Sequence, residues 1–365
     1  MSEQPVPAPE LRIDQLTGLR ALIAPGRHGR PDAFAVQRGA VAAGGGEGEG
    51  EGCAFCEGHE DETPPEVWAN RPGGGEADGP GWLQRAVPNL YPALAAGTGA
   101  GRIAGGVSES GLTSAADPLL ASARAAEPDL FGAVAATGAH EVIVNAPRHV
   151  ATLAALEPGE LAGAVAAWRA RIASRRDEAA LVHLFLNDGP GAGATREHSH
   201  AQLLALPFVP AHVARERERF SAYHQRTAGS HLLEDVLVDE VRRRDRLVAI
   251  DDEAALICPW ASRWPYELRL IPRSSAPRFE DDDRGAELLG RGLRALAAVL
   301  GPGTGLNLWV RTAPRGTDEF CWHLDIAPRT TTAGGVELGA GLDLNPLAPE
   351  AAAAELRAAM GSDPV

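Results

Sequence analysis

The feature that most constrains this chain is an order of elements that occurs twice. HEVIVNAPRH, between residues 140 and 150, alternates like a strand and ends at a proline turn. LEPGELAGAVAAWRARIASRR, residues 156–176, reads as a helix, with Pro and Glu near its start and arginines at its end, as the helix dipole favours. ALVHLFLND, residues 180–188, is a strand, GPGAGA a glycine-rich turn, and HSHAQLLALPFVP another strand. The order then recurs. YELRLIPR (266–273) is a strand ending at a proline turn, RGAELLGRGLRALAAVL (284–300) a helix and GLNLWVRT (305–312) a strand. The polar loop APRGTDEF leads into CWHLDIAPR (321–329). Strand, helix, strand, loop, strand at similar spacing in both halves points to an internal duplication. Antiparallel sheets with helices on one face follow, an α+β design.

The 365 residues, 44% hydrophobic, suffice for one large or two ordinary domains with a real core. A formal net charge of −15 argues against a nucleic-acid surface, so any anion must be bound by local contacts. The first twenty residues lack an apolar signal region, and no apolar run reaches membrane-span length. A cytoplasmic protein with no membrane partner is expected. Its four cysteines, Cys53, Cys56, Cys258 and Cys321, are then reduced, metal-bound or buried rather than paired in disulfides. Two glycine-rich acidic stretches, residues 44–52 and 72–81, read as mobile loops flanking CAFC.

Chemistry concentrates in few places. Cys53 and Cys56 form a C-x-x-C: a zinc knuckle, a redox pair or coincidence, and the glycine loops around it do not suit the redox reading. Tetrahedral zinc needs two further ligands. His149 follows a strand, where a surface histidine is also reasonable. His198, His200 and Gln202 are spaced two apart at the mouth of an apolar run, so a strand sets them on one face. A metal-bound imidazole has no lone pair to attack with. A neighbour about 7 Å away keeps its own, and a neutral imidazole held by its other nitrogen is a good nucleophile toward phosphorus. The GPGAGAT turn could offer backbone N–H groups to phosphate oxygens. Together these features point to nucleotidyl transfer.

GAGATREHSHAQ resembles the active-site stretch of the galactose-1-phosphate uridylyltransferase family, in the histidine triad superfamily. There a glycine-containing loop leads to H-P-H-G-Q. Ser199 stands here for Pro and Ala201 for Gly. LTGLRALIAPGRHGRP, CAFCEGHEDETPPEV, AVPNLYPAL, HEVIVNAPRH, FLNDGPG, WASRWPYELRLIPR, WHLDIAPR and GGVELGAGLDLNPLAPEAAA resemble other family segments, in order, over nearly the whole chain. The resemblance implies two tandem histidine-triad-like domains: residues 1–210, catalytic and zinc-bearing, and residues 211–365, degenerate and on the hexose side.

It also implies roles. Cys53, Cys56, His149 and His198 match structural zinc ligands. His200 matches a nucleophile that carries the nucleotide covalently, and Gln202 an amide that bonds the phosphoryl group. Arg27, Arg30, Asn89, Asn187 and Thr195 match positions around the nucleotide and its phosphates. Glu337 matches a carboxylate that holds hexose hydroxyls. The implied reaction is ping-pong transfer of UMP between a UDP-hexose and a hexose 1-phosphate, by a homodimer with sites completed across subunits. Relatives that transfer adenylyl groups or phosphorolyse ADP-sugars supply an alternative. A nucleotide hydrolase and a non-catalytic zinc scaffold are rivals of other classes.

Many relatives carry a second metal. At its ligand positions stand His231, Glu234, Glu253 and Cys321, all still capable ligands. Either they converge on a metal or a dispensable site has decayed. For an iron site of another family type Glu216 fits, but Arg311, Asp325 and Ala327 fall at the histidine positions, so that site is not expected. CWHLDIAPR is expected to be the same scaffold without the nucleophile.

Overall fold

A computed structural model of the protein describes residues 10–23, 52–96 and 136–361. Arg27, Arg30 and residues 44–51 of the first glycine-rich stretch lie outside the described residues. The repeated elements form where the pattern places them. In the first half these are β6 (Thr137–Val144), α1 (Pro158–Arg175), β7 (Leu181–Asp188) and β8 (His200–Leu206). In the second they are β11 (Leu268–Pro272), α4 (Ala286–Leu300), β12 (Leu306–Arg311) and β13 (His323–Pro328). Helix α1 starts with Pro158 in its first turn, and Glu160 reaches back to accept the Glu157 N–H at 2.9 Å. Both devices satisfy orphan donors at a helix start.

The strands join in one large sheet. Its flanks add β3 (Trp68–Asn70), β4 (Gln84–Pro88), β9 (Leu247–Ile250) and β10 (Ala254–Ile257). The order is β3-β4-β6-β8-β7-β12-β13-β11-β10-β9, with β5 (Ala95–Ala96) pairing β6. It reads the same from both ends once each strand is exchanged for its counterpart, so a pseudo-dyad runs between β7 and β12. Those two pair antiparallel, Leu306 opposite Asp188 through Trp309 opposite Phe185. The α+β class holds, and the two sheets expected of tandem domains are continuous across the duplication. The expected boundary at residue 210 falls between β8 and α2 (Ala211–Arg226). A three-stranded sheet adds β14 (Asp343–Asn345) to the pair β1 (Glu10–Ile13) and β2 (Arg20–Ile23), so an early and a late segment of the sequence meet.

Period two sorts the sheet's side chains. Ala201, Leu203, Leu184, Leu308 and Leu324 face α1 and α4, packing with Trp168, Ile172, Leu289 and Leu293. The opposite face carries the polar set. Over the second half it is covered by α2 and α3 (Leu232–Arg243), whose Phe220, Leu233 and Leu237 pack on Ala255, Ile257 and Ile271. Residues 72–81, expected to be mobile, are anchored instead. Asp78 accepts from Arg85 Nη2 at 2.7 Å and from the Glu66 N–H at 2.8 Å, and the Gly79 carbonyl accepts from Arg71. Glycine content was a poor guide here because one aspartate in the loop meets a buried arginine.

Candidate functional site

Four ligand atoms come together beside the start of β8. A tight turn, with the Cys56 N–H donating to the Cys53 carbonyl at 3.0 Å, brings the two thiols onto one side. The Glu57 N–H donates to Pro147 O at 2.9 Å, which ties this turn to the loop carrying His149. Beneath it, Arg85 pairs with Glu66 at 3.1 Å and the Trp82 indole donates to Glu60 at 2.7 Å.

Cys53 Sγ lies 3.4 Å from His198 Nδ1, Cys56 Sγ 3.7 Å from the same nitrogen and 3.6 Å from His149 Nδ1. The ligand atoms of Cys53, Cys56, His149 and His198 all lie within 4.8 Å of one another. A tetrahedron with bonds of about 2.0–2.3 Å has edges of about 3.3–3.8 Å, so the set could hold zinc. The tautomer suits it too. His198 Nε2–H donates to Ala146 O at 2.9 Å, which leaves the Nδ1 lone pair facing the thiols. Burial lowers His198 to about 4, so the ring is neutral. Burial and the neighbouring Cys53 push the Cys56 thiol up to about 12. A cation between the sulfurs reverses that preference, as a coordinating thiol is deprotonated.

His200 has the opposite arrangement. Its Nδ1–H donates to the His198 carbonyl at 2.7 Å, which leaves Nε2 with its lone pair. Burial again lowers the pKa, which favours the neutral ring. Phe55, inside CAFC, packs edge-on against both rings, with centroids 5.3 Å from His200 and 6.1 Å from His198. Behind them, Ser199 accepts from Asn145 Nδ2 at 3.0 Å, and Asn145 Oδ1 accepts from the Trp168 indole at 2.9 Å. The sequence reading expected His198 within the strand; the strand begins at His200.

Gln202 lies on β8 opposite Val142 of β6 and Phe185 of β7. Its Oε1 is 3.1 Å from His140 Nε2, and Asn89 Nδ2 is 3.2 Å from that same nitrogen. Asn89 is thereby gathered to Gln202 through His140, a residue that sequence reasoning missed. Asn187, on β7, accepts from Asn307 Nδ2 of β12 at 2.8 Å. Extending the β7–β8 register by two residues sets Asn187 beside His200. Asn307 was also missed; the repeat of N in FLND and GLNLW was its only signal.

Thr195 is exposed in the loop ahead of the histidines. The expectation that this glycine-rich loop offers its N–H groups to phosphate is corrected in part. Those of Ala192, Gly193 and Ala194 already donate within the loop, to Gly189 O, Pro190 O and Gly189 O. Glu337 sits on the short helix α5 (Gly335–Ala340), where its Oε2 accepts the Gly334 N–H at 2.8 Å.

Of the two readings of His231, Glu234, Glu253 and Cys321, convergence on a metal or decay of a site, the structure does not bring the four together. Among the described residues the Cys53 cluster is the one group of three or more that could hold a metal. Glu234 accepts the Ser275 N–H at 2.5 Å and Glu253 the Gly285 N–H at 2.9 Å. His231 packs on His224 with centroids 5.6 Å apart. The Cys321 thiol donates to Trp322 O at 3.6 Å, and burial raises it to about 11. The carboxylates now bond backbone amides. At the positions weighed for iron, Arg311 Nε donates to Glu216 at 3.2 Å.

The second half keeps the strand without a usable nucleophile, as expected, but not for want of a histidine. The pseudo-dyad sets His323 at the place of His200, and its Nδ1–H donates to Cys321 O at 3.0 Å, the same bond two residues back. The imidazole persists, but it is 0% exposed, stacked on Phe320, with Nε2 3.9 Å from Asp325 Oδ2. It has become core.

Comparison with known proteins bears on the whole chain. The family model described as galactose-1-phosphate uridyl transferase, N-terminal domain, matches residues 113–210. ADP-glucose phosphorylase of Arabidopsis thaliana is 27% identical over 364 residues, covering 96% of this chain and 93% of the relative. Galactose-1-phosphate uridylyltransferase of Cryptococcus neoformans is 30% identical over 164 residues, 43% of each chain. The crystal structure of an ADP-glucose phosphorylase from Arabidopsis thaliana with bound ADP-glucose aligns with a TM-score of 0.73 at 26% identity, covering 96% of this chain and 98% of that one. A uridylyltransferase structure aligns at 0.65 and 25% identity over the same shares.

Proposed function

The chain belongs to the galactose-1-phosphate uridylyltransferase family of the histidine triad superfamily, a family of nucleotidyltransferases, and from that premise we propose that it moves a nucleoside monophosphate through His200. The observation that carries this reading is the locked ring of His200, with Nδ1–H on the His198 carbonyl and Nε2 free. Nε2 attacks the α-phosphorus of a nucleoside-diphosphate hexose. The P–O bond to the β-phosphate breaks, hexose 1-phosphate leaves, and an N–P bond forms. The His198 carbonyl supports the positive charge that spreads to Nδ1. A second phosphate oxygen then attacks phosphorus and restores the imidazole, so the reaction is ping-pong. Gln202 holds a phosphoryl oxygen, and Asn89, Asn187, Thr195, Arg27 and Arg30 hold the nucleotide and its phosphates. Glu337 holds the hexose. The chemistry belongs to the half ending at residue 210. Zinc held by Cys53, Cys56, His149 and His198 would stiffen the entry to β8.

For nucleotide and acceptor, the relative that matches over nearly the full length of both chains favours ADP-glucose and inorganic phosphate, giving ADP and glucose 1-phosphate. The second reading, UDP-hexose with hexose 1-phosphate, rests on the family model and the half-length relatives. We further take the working molecule to be a cytoplasmic homodimer, which sedimentation would size. The test mixes the protein with labelled ADP-glucose or UDP-glucose. Label retained on wild type and lost in His200→Ala supports transfer, by at least about 1000-fold for a lost nucleophile. Steady nucleotide release without retention would show hydrolysis. Chasing the labelled protein with phosphate or galactose 1-phosphate then names the acceptor.

A further inference from the structure

His140 lies on β6, one strand from Gln202 and on the same face of the sheet. Its polar contacts define its protonation. Nδ1 is 3.1 Å from the backbone N–H of Ala93, a fixed donor, so Nδ1 is an acceptor. The ring proton is then on Nε2. Two atoms face Nε2: Gln202 Oε1 at 3.1 Å and Asn89 Nδ2 at 3.2 Å. Only the first can accept. Asn89 is held independently, with its Oδ1 accepting the Tyr91 N–H at 2.9 Å and its own N–H donating to His140 O at 2.8 Å.

We propose that His140 is a positioning residue for the transfer reaction: its Nε2–H binds Gln202 Oε1 and so turns the Gln202 NH₂ toward the phosphoryl group carried by His200. A glutamine amide has two orientations of nearly equal shape and opposite polarity. Flipped, Gln202 would present a carbonyl oxygen to an anionic phosphate, which repels it. A donor aimed in advance at developing charge lowers the barrier without reorganisation. The backbone N–H of Ala93 sets the imidazole tautomer, the tautomer sets the amide, and the amide meets the substrate. This inference rests on the proposed roles of His200 and Gln202.

Two substitutions separate the ring's two bonds. His140→Asn puts an amide oxygen near the place of Nδ1, keeping the Ala93 bond and losing the donor to Gln202. His140→Gln puts an amide N–H near the place of Nε2, keeping that donor. In single-turnover labelling of His200, His140→Asn is expected to slow the step about 10- to 100-fold with donor KM changed less than about twofold, and His140→Gln to stay within about threefold of wild type. In a Gln202→Ala background, His140→Asn should add less than about twofold, because the group it orients is gone. Equal loss in both His140 variants, or full additivity with Gln202→Ala, overturns the proposal. A readout without nucleotide decides it separately. ¹⁵N spectra should show Nε2 protonated and Nδ1 bare on His140, and the Gln202 side-chain amide signals should shift in His140→Asn but not in His140→Gln. A proton on Nδ1, or Gln202 signals indifferent to both variants, overturns it. If wild type retains no nucleotide on His200, the proposed function falls while these spectra still decide the arrangement.

Discussion

One hydrogen bond, from ring Nδ1–H to the carbonyl two residues earlier, occurs twice here with opposite outcomes. At His200 it measures 2.7 Å and leaves Nε2 with its lone pair; at His323 it measures 3.0 Å and leaves Nε2 buried, in a ring stacked on Phe320. His198 reverses the tautomer by donating Nε2–H to Ala146 O, so its lone pair turns to the thiols. Three histidines at the entries of two equivalent strands are thus distinguished by which nitrogen the backbone occupies and by what lies over the ring. A pH dependence follows. Burial lowers the pKa of His200 below the ordinary histidine range, so the neutral ring persists as pH falls past about 6.5. Single-turnover labelling of His200 is expected to be flat from about pH 8 to 6.5 and to decline only below that. A rate already halved at about pH 6.5 would mean that the ring charges as an exposed histidine does.

The elements were legible where their period is strong. The expected helices at 156–176 and 284–300 appear as Pro158–Arg175 and Ala286–Leu300, and every strand of the repeat appears within a few residues of its predicted range. Of the site, the C-x-x-C turn and the two-residue spacing of His198, His200 and Gln202 were readable along one turn and one strand, while the grouping of His149 and His198 with the thiols came from the resemblance. His140 and Asn307 were not, since each acts across a strand pairing, and register is invisible in a linear string. The second metal failed for a related reason. Ligand-capable side chains say nothing about which backbone amides they will meet. Helix packing adds a contact that sequence also hides. A Cβ on Gly292 of α4 would lie 2.6 Å from Leu256 Cδ2, and one on Gly290 2.9 Å from Leu161 Cδ2. These glycines let α4 approach both β10 and α1. Alanine raises helix propensity by up to about 1 kcal/mol, but overpacking a core costs about 1–3 kcal/mol. Leu256 is fully buried. Gly292→Ala is therefore expected to lower the urea midpoint, with a net loss of about 1 kcal/mol. A raised midpoint would show that Leu256 changes rotamer freely.

At the scale of the molecule, the duplication produced one sheet rather than two. Strands β7 and β12, one from each half, exchange backbone bonds at the pseudo-dyad, and the core cluster runs across them from Leu184 and Leu186 to Leu308 and Val310. A second tie joins the halves, because β14 pairs in parallel with β2. Pulling the halves apart would expose two long unpaired edges and the apolar strip beneath them, a costly intermediate. The halves should therefore unfold together, even though each has its own helix and its own histidine strand. The cysteines allow a direct check, because two report on each half. Cobalt loaded into the Cys53, Cys56, His149 and His198 cluster would give a thiolate absorption band that reads Cys53 and Cys56, while Cys258 and Cys321, 0% and 1% exposed, react with a thiol reagent only when the second half opens. Across a guanidinium titration, loss of the cobalt band and labelling of Cys258 are expected to share one midpoint within error. Metal binding stabilises only the folded state, so adding excess cobalt should move both midpoints upward together. Labelling of Cys258 at a denaturant concentration where the cobalt band is intact, or a cobalt shift confined to the band, would mean that the pairing of β7 with β12 does not couple the halves.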